Sequence, residues 1–144
     1  MYWIIMNKDE DIVITSAFRT PIGSFQGSLK NHKATELGTV VIKKCMEHSN
    51  LKSSEVDTVI LGQVLQTGCG QNPARQAAIN SGIDKGKTAT TINQVCGSGL
   101  AAVTLGFNSL KLNDTNIVIA GGQESMTNSP HYLNYRMEKN LSEE

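Results

Sequence analysis

Residues 88–112, TATTINQVCGSGLAAVTLGFNSLKL, decide the fold of this chain. The run from Thr88 to Asn93 is β-branched and strand-like. From Leu100 to Leu112 the pattern is helical, with Leu100, Ala101, Ala102, Val103, Leu105, Phe107 and Leu110 spread around most of the circumference. A helix that is apolar nearly all round is a buried helix. Between strand and helix lies Asn93-Gln94-Val95-Cys96-Gly97-Ser98-Gly99. This is one unit of strand–turn–helix alternation, with a cysteine at the turn.

Working outward, the same alternation recurs. Residues 11–17 carry the short β-branched run Ile12-Val13-Ile14 and predict a first strand. Residues 34–48 place Leu37, Val40, Val41 and Cys45 at helical spacing. Residues 56–65 form a near-continuous apolar run, the mark of a strand covered on both faces. Residues 72–80 predict a helix with Pro73 in its first turn, and residues 116–121 a further strand around Ile117, Val118 and Ile119. Alternation on this scale implies parallel pairing with right-handed crossovers, an α/β fold with a parallel-rich mixed sheet. Residues 1–10 are expected to be an N-terminal extension, their apolar run too short for a signal-peptide core or a membrane span. Residues 11–125 are expected to form the structural unit, and residues 126–144 to start a polar loop region.

Composition narrows the function classes. At 144 residues the chain suits one domain, and thirteen basic residues balance thirteen acidic ones. A neutral chain without a Lys/Arg block gives little electrostatic reason to bind nucleic acid or an anionic membrane, so neither partner is expected. Its three cysteines, Cys45, Cys69 and Cys96, are odd in number and lack CxxC spacing. That argues against a disulfide scaffold or a metal site, and for a cytoplasmic setting or an organelle matrix.

Cys96 is the candidate for chemistry. At a helix N-terminus the unpaired backbone N–H groups and the helix dipole favour a thiolate over a thiol. Gly97 and Gly99 leave room for close approach, and the amides of Cys96 and Gly97 could stabilise an oxyanion. The plain alternative is a small buried hydrophobe, the usual fate of a lone cysteine. Cys45 fits that alternative on the apolar face of its helix, and Cys69 sits in the glycine-rich Thr67-Gly68-Cys69-Gly70 without a helix directly after it.

Four blocks, in order and in spacing, make the chain similar to the thiolase family. They are Arg19-Thr20-Pro21-Ile22-Gly23-Ser24-Phe25, Gly70-Gln71-Asn72-Pro73-Ala74-Arg75-Gln76, Asn93 to Gly99, and Gly121-Gly122-Gln123-Glu124-Ser125-Met126. The resemblance implies the first half of a layered αβαβα fold, in which two similar βαβαβαββ halves pack together and a buried helix starts at Cys96. It implies acyl transfer onto Cys96, with Gln71, Asn72 and Arg75 near the active site and dimer interface and Met126 shaping the acyl pocket. It further implies coenzyme A thioesters as substrates, no permanently bound cofactor, and a homodimer or tetramer. The reaction is condensation of two acetyl-CoA to acetoacetyl-CoA or the reverse thiolysis.

The family's proton-transfer segments, a histidine in GHP and a second cysteine in CxGGG, do not occur in these residues. His32, His48 and His131 stand outside any such motif and are expected at the surface, and Glu124 is expected to accept backbone N–H bonds. Two further readings follow: an inactive truncated fragment or dimerisation remnant, and a 3-ketoacyl-CoA thiolase of fatty-acid breakdown. Without a second half, much of residues 100–110 would face water. At about 25 cal/mol per Å2 that exposure costs on the order of several kcal/mol, and poor solubility or partial unfolding is expected.

Overall fold

The structure, a computed structural model, describes residues 2–8 and 11–133. Among these, five strands and three α-helices follow one another as β1 (Tyr2–Lys8), β2 (Asp11–Phe18), α1 (Ala34–His48), β3 (Thr58–Gly62), α2 (Pro73–Asn80), β4 (Thr88–Ile92), α3 (Ser98–Lys111) and β5 (Ile117–Gly122). The sheet order is β2-β1-β5-β3-β4. β3 pairs parallel with β4 on one side and with β5 on the other, whereas β1 is antiparallel to both β2 and β5. No helix among the described residues is long and apolar enough to cross a membrane.

Handedness explains the layers. The steps from β2 to β3 and from β3 to β4 move the same way across the sheet, and the step from β4 back to β5 moves the opposite way. Right-handed crossovers then put α1 and α2 on one face and α3 on the other. The two cores follow. Val41, Ile42, Cys45 and Met46 of α1 and Ala74, Ala77 and Ala78 of α2 pack with Val59, Leu61 and Ile119, and Ala102 and Leu110 of α3 pack with Ile60, Val118 and Ala120. Successive strand residues serve opposite faces, and with both faces covered β3 is buried without a break.

Two expectations change. The helix expected to start at Cys96 starts at Ser98, with Gly97 as its N-cap. It is also buried along one line only, Ser98, Ala102, Gly106 and Leu110, while Leu100, Leu105 and Phe107 are exposed. Residues 2–8, taken for an extension, form a strand in the sheet interior. Their run of Trp3-Ile4-Ile5-Met6 is strand-forming in its own right.

Candidate active site

All four sequence blocks lie at the carboxyl end of the sheet. β2, β3, β4 and β5 run in the same direction, so the segments that leave them, beginning at Arg19, Gln63, Asn93 and Gln123, gather along one edge. In open α/β sheets that edge is where ligands bind. Hydrogen bonds tie the segments together. The Gln123 N–H donates to Gly62 O at 2.9 Å, Gln63 N–H to Ile92 O at 3.0 Å, and Asn93 Nδ2 to Val64 O at 3.3 Å. Gln26 N–H donates to Thr127 Oγ1 at 2.9 Å, and Ser125 Oγ to His32 O at 3.0 Å.

Cys96 stands exposed on the turn between β4 and α3. The turn is built tightly. The Asn93 side chain accepts from the Val95 N–H at 2.9 Å; Ser98 Oγ accepts from the Gln94 N–H at 2.9 Å and donates to Val95 O at 2.6 Å. Val95 is held at φ +51°, a left-handed conformation that a β-branched residue rarely adopts. Strain of this kind persists where the surroundings over-determine the backbone, as they do at functional sites. Below the turn, α3 presses onto the strand ends: a Cβ at Gly62 would lie 2.5 Å from Ser98 Cβ, and one at Gly122 would lie 3.3 Å from Gly99 Cα. Only glycine lets the start of α3 sit this close to β3 and β5.

One expected oxyanion donor is otherwise engaged. Gly97 N–H donates to Gln94 O at 3.1 Å, closing the turn, and Ser98 N–H donates to Val95 O at 3.1 Å. Gly97 acts here as the helix cap.

The supporting residues are largely architectural. Asn72 caps α2 at φ +43°, accepting from Arg75 N–H at 3.1 Å and Thr91 Oγ1 at 2.8 Å and donating to Ala89 O at 2.9 Å. It thereby fastens α2 to β4. The Arg75 guanidinium donates to Lys85 O at 2.6 Å and to Lys87 O, anchoring the segment before β4. Gln71 is exposed, and its carbonyl accepts from Gln76 Nε2 at 3.0 Å. Glu124 accepts backbone N–H bonds, as expected, though from distant residues: Val64 at 2.8 Å and Leu65 at 3.2 Å.

Met126 lies in the wall of a cavity of about 670 Å3, with Arg19, Ile22, Phe25, Leu37 and Val41, and Cys96 stands outside that wall. The structure therefore does not bring Met126 and Cys96 into one cavity. Of the described histidines, His32 lies 3.7 Å from Glu36, His48 packs edge-on against Phe18, and His131 is exposed.

A buried amide pair was not anticipated. Gln123 Nε2 donates to Gln63 Oε1 at 2.9 Å between the ends of β5 and β3, and Gln63 Nε2 donates to Cys69 Sγ at 3.2 Å. The signal in the sequence was slight: a glutamine inside the apolar run 56–65. Burial pushes the Cys45 thiol up, against the pull of Ser16.

A family described as "Thiolase, N-terminal domain" matches residues 12–144. A protein named probable acetyl-CoA acetyltransferase from Escherichia coli is 52% identical over 124 residues, covering 86% of this chain and 32% of that protein. An acetyl-CoA acetyltransferase from Cupriavidus necator is 54% identical over 123 residues, covering 85% and 31%. The crystal structure of Acat5 thiolase from Ascaris suum in complex with coenzyme A superposes with a TM-score of 0.82 at 40% identity, covering 92% of this chain and 32% of that one. The chain spans about a third of the length of these relatives.

Proposed function

This chain belongs to the thiolase family, and from that premise we propose that it supplies the nucleophile-bearing part of an acetyl-CoA C-acetyltransferase. The Cys96 thiolate attacks the thioester carbonyl of acetyl-CoA; a new C–S bond forms, the bond to coenzyme A breaks, and coenzyme A leaves as its thiolate. A second acetyl-CoA loses a C2 proton to a base, and its carbanion attacks the acetyl-Cys96 carbonyl. Acetoacetyl-CoA forms and Cys96 is released as thiolate. In the reverse direction Cys96 attacks the 3-keto carbonyl of acetoacetyl-CoA, the C2–C3 bond breaks to release acetyl-CoA after protonation of its carbanion, and the coenzyme A thiolate takes the acetyl group from Cys96. The positive end of the α3 dipole and the Cys96 amide favour the oxyanion in each addition.

One observation carries this reading: an exposed cysteine on a strained strand-to-helix turn, at the edge where all four family blocks meet. Names of the relatives and the coenzyme A complex of the Ascaris suum thiolase support the substrate class. The half-domain proposed over residues 11–125 also takes in residues 2–8, which pair inside its sheet, and of the loop region proposed over residues 126–144, residues 134–144 lie outside the described residues. Coenzyme A thioesters are substrates, the assembly is a homodimer or tetramer, and the setting is cytoplasmic or an organelle matrix. Gln71, Asn72 and Arg75 support the site by holding α2 and the segment before β4, whereas Met126 lines a cavity that Cys96 does not share, so the acyl-pocket role is not assigned to it.

We place the proton partner outside the described residues, because the family's GHP and CxGGG segments do not occur among them. The chain on its own is therefore expected to give no thiolysis of acetoacetyl-CoA. Turnover would show that a described residue serves as base. Iodoacetamide should modify Cys96 before Cys69 and Cys45, and equal rates at all three would sink the nucleophile assignment.

One other reading has specific support. A probable acetyl-CoA acyltransferase from Staphylococcus epidermidis, 52% identical over 122 residues, favours a 3-ketoacyl-CoA thiolase of fatty-acid breakdown.

A further inference from the structure

The peptide group between Val64 and Leu65 is gripped from both sides. Its N–H, on Leu65, donates to Glu124 Oε1 at 3.2 Å, and its carbonyl, on Val64, accepts from Asn93 Nδ2 at 3.3 Å. Glu124 Oε2 accepts the preceding N–H, on Val64, at 2.8 Å. Sheet register explains the meeting. Gly62 lies opposite both Ile92 on β4 and Gly122 on β5, so just beyond these last pairs Val64 passes between the segments that carry Asn93 and Glu124. There the backbone ladder has stopped, and side chains take over from it.

Asn93 passes the contact on. Its Oδ1 accepts the Val95 N–H at 2.9 Å, closing a short turn that holds Val95 at φ +51° immediately before Cys96. The hydrogen bonds therefore run one way: from the Val95 N–H into the Asn93 amide, from that amide into the 64–65 peptide, and from that peptide into a carboxylate. Hydrogen bonds aligned head to tail polarise one another, and an ionised acceptor at the end strengthens the set. By holding the 64–65 peptide with its carbonyl toward Asn93, the carboxylate turns Asn93 Nδ2 to Val64 and Oδ1 to Val95. Satisfaction of polar groups alone does not require this. Asn93 and Val95 are exposed, and water would serve the Val95 N–H equally well. A side chain bonded at both ends does what water does not, which is to fix a direction.

We propose that Glu124 is a positioning residue for Cys96, acting through the 64–65 peptide and Asn93 to hold the turn that aims the sulfur. Glu124 exchanges no proton in this role. The role rests on Cys96 being the nucleophile, whereas the relay itself rests on geometry alone.

The test pairs amide exchange at Val95 with labelling of Cys96, both on the full chain. In the parent the Val95 amide should exchange at least about tenfold more slowly than an unfolded one, and exchange at the unfolded rate would overturn the relay. Glu124→Gln puts an amide nitrogen where an acceptor stood and should speed exchange at Val95 by about tenfold. Asn93→Ala should do the same, and the double variant should be no worse than Asn93→Ala, because effects carried along one path do not add. Acetylation of Cys96 by acetyl-CoA, which needs an aimed sulfur, should fall by about tenfold in each variant, while iodoacetamide labelling stays within about twofold. Additive effects, or an equal fall with both reagents, would overturn the proposal, since general loosening of the sheet edge produces either. If acetyl-CoA fails to label Cys96 even in the parent, the nucleophile assignment fails by itself, and exchange at Val95 decides the relay. If Glu124→Gln does not fold, Asn93→Ala decides: exchange at Leu65 should rise together with exchange at Val95, and an unchanged Leu65 would overturn the relay.

Discussion

The two ends of the sheet are built differently. At the amino end Asp57 joins three strands: its carboxylate accepts from the N–H groups of Asn116 at 2.8 Å and Ile117 at 3.1 Å and pairs with Lys87 at 3.1 Å. Thr58 and Thr88 add a hydroxyl–hydroxyl bond of 2.8 Å beside it. At the carboxyl end the chain is held at positive φ at Asn72 and Val95, and Cys96, Ile22, Phe25 and Met126 face outward. Positive φ at the other end falls on Asn50 and Asn113, which follow helix C-termini, where asparagine adopts it at little cost. One end closes polar groups onto each other; the other keeps a nucleophile exposed on a strained turn. Stability and chemistry are thus assigned to opposite edges, and substitutions at each should separate them.

The largest separation is expected at Cys96. Cys96→Ala should abolish acetyl transfer to the chain, read as loss of the acetyl mass increment from the peptide that spans the turn. Its Tm should stay within about 2 °C, because an exposed side chain contributes little to stability. A large drop in Tm would place Cys96 in the structural machinery and blur the division. Gly62→Ala attacks the junction between the ends. The new Cβ would stand 2.5 Å from Ser98 Cβ and 2.7 Å from Gly99 N, where the neighbours are largely backbone and cannot step aside. Overpacking of this kind should cost about 3 kcal/mol in chemical denaturation, and lifting α3 should slow labelling of Cys96 as well. Unchanged stability would mean that α3 is not pinned to β3.

Asp57→Asn breaks the amino end alone. Removing the charge from two backbone N–H bonds and one ammonium should cost about 1–3 kcal/mol while leaving Cys96 labelling unchanged. The pH dependence has a definite sign. Burial raises the Asp57 carboxyl, but the Asn116 and Ile117 amides and Lys87 outweigh it and hold the group below the ordinary carboxylate value. Its stabilisation is therefore present above about pH 4, the unfolded range, and disappears as pH falls through the lower folded value. The stability gap between the parent chain and Asp57→Asn should close below that range. A gap independent of pH would remove the carboxylate from this role.

Much of this arrangement was legible in the residues. The helix predicted at 34–48 has those bounds, and the apolar run 56–65 contains β3, buried on both faces. The family blocks also carried their own convergence, since each follows a predicted strand. What stayed hidden depends on contacts between residues far apart in the chain. Glu124 bonds amides about sixty residues away, and Gln63 meets Gln123 across the sheet, which no local pattern announces. Residues 2–8 were hidden for another reason. Strand propensity shows that a segment can pair, but it does not say where, and an interior position follows only once β2 and β5 are known to stand one strand apart. The buried appearance of α3 had a third cause, because hydrophobicity records what a helix is made to pack against rather than what covers it in this chain.

The smallest effect expected is also the one that sets the two ends most directly against each other. Val95 is a β-branched residue at φ +51°, and its side chain is 65% exposed, so little packing rewards the strain. Val95→Gly would relieve the steric cost, while glycine's extra freedom in the unfolded chain takes part of that gain back. The net should be a stabilisation of under about 1 kcal/mol, measured by denaturant midpoint at constant slope. A structural residue would show stability and function moving together. Here they should move apart, because a looser turn no longer fixes the direction in which Cys96 presents its sulfur. Labelling by acetyl-CoA should fall while labelling by iodoacetamide, which needs no orientation, holds steady. If both reagents slow equally, the turn governs exposure of the thiol, and the strain at Val95 has no part in aiming it.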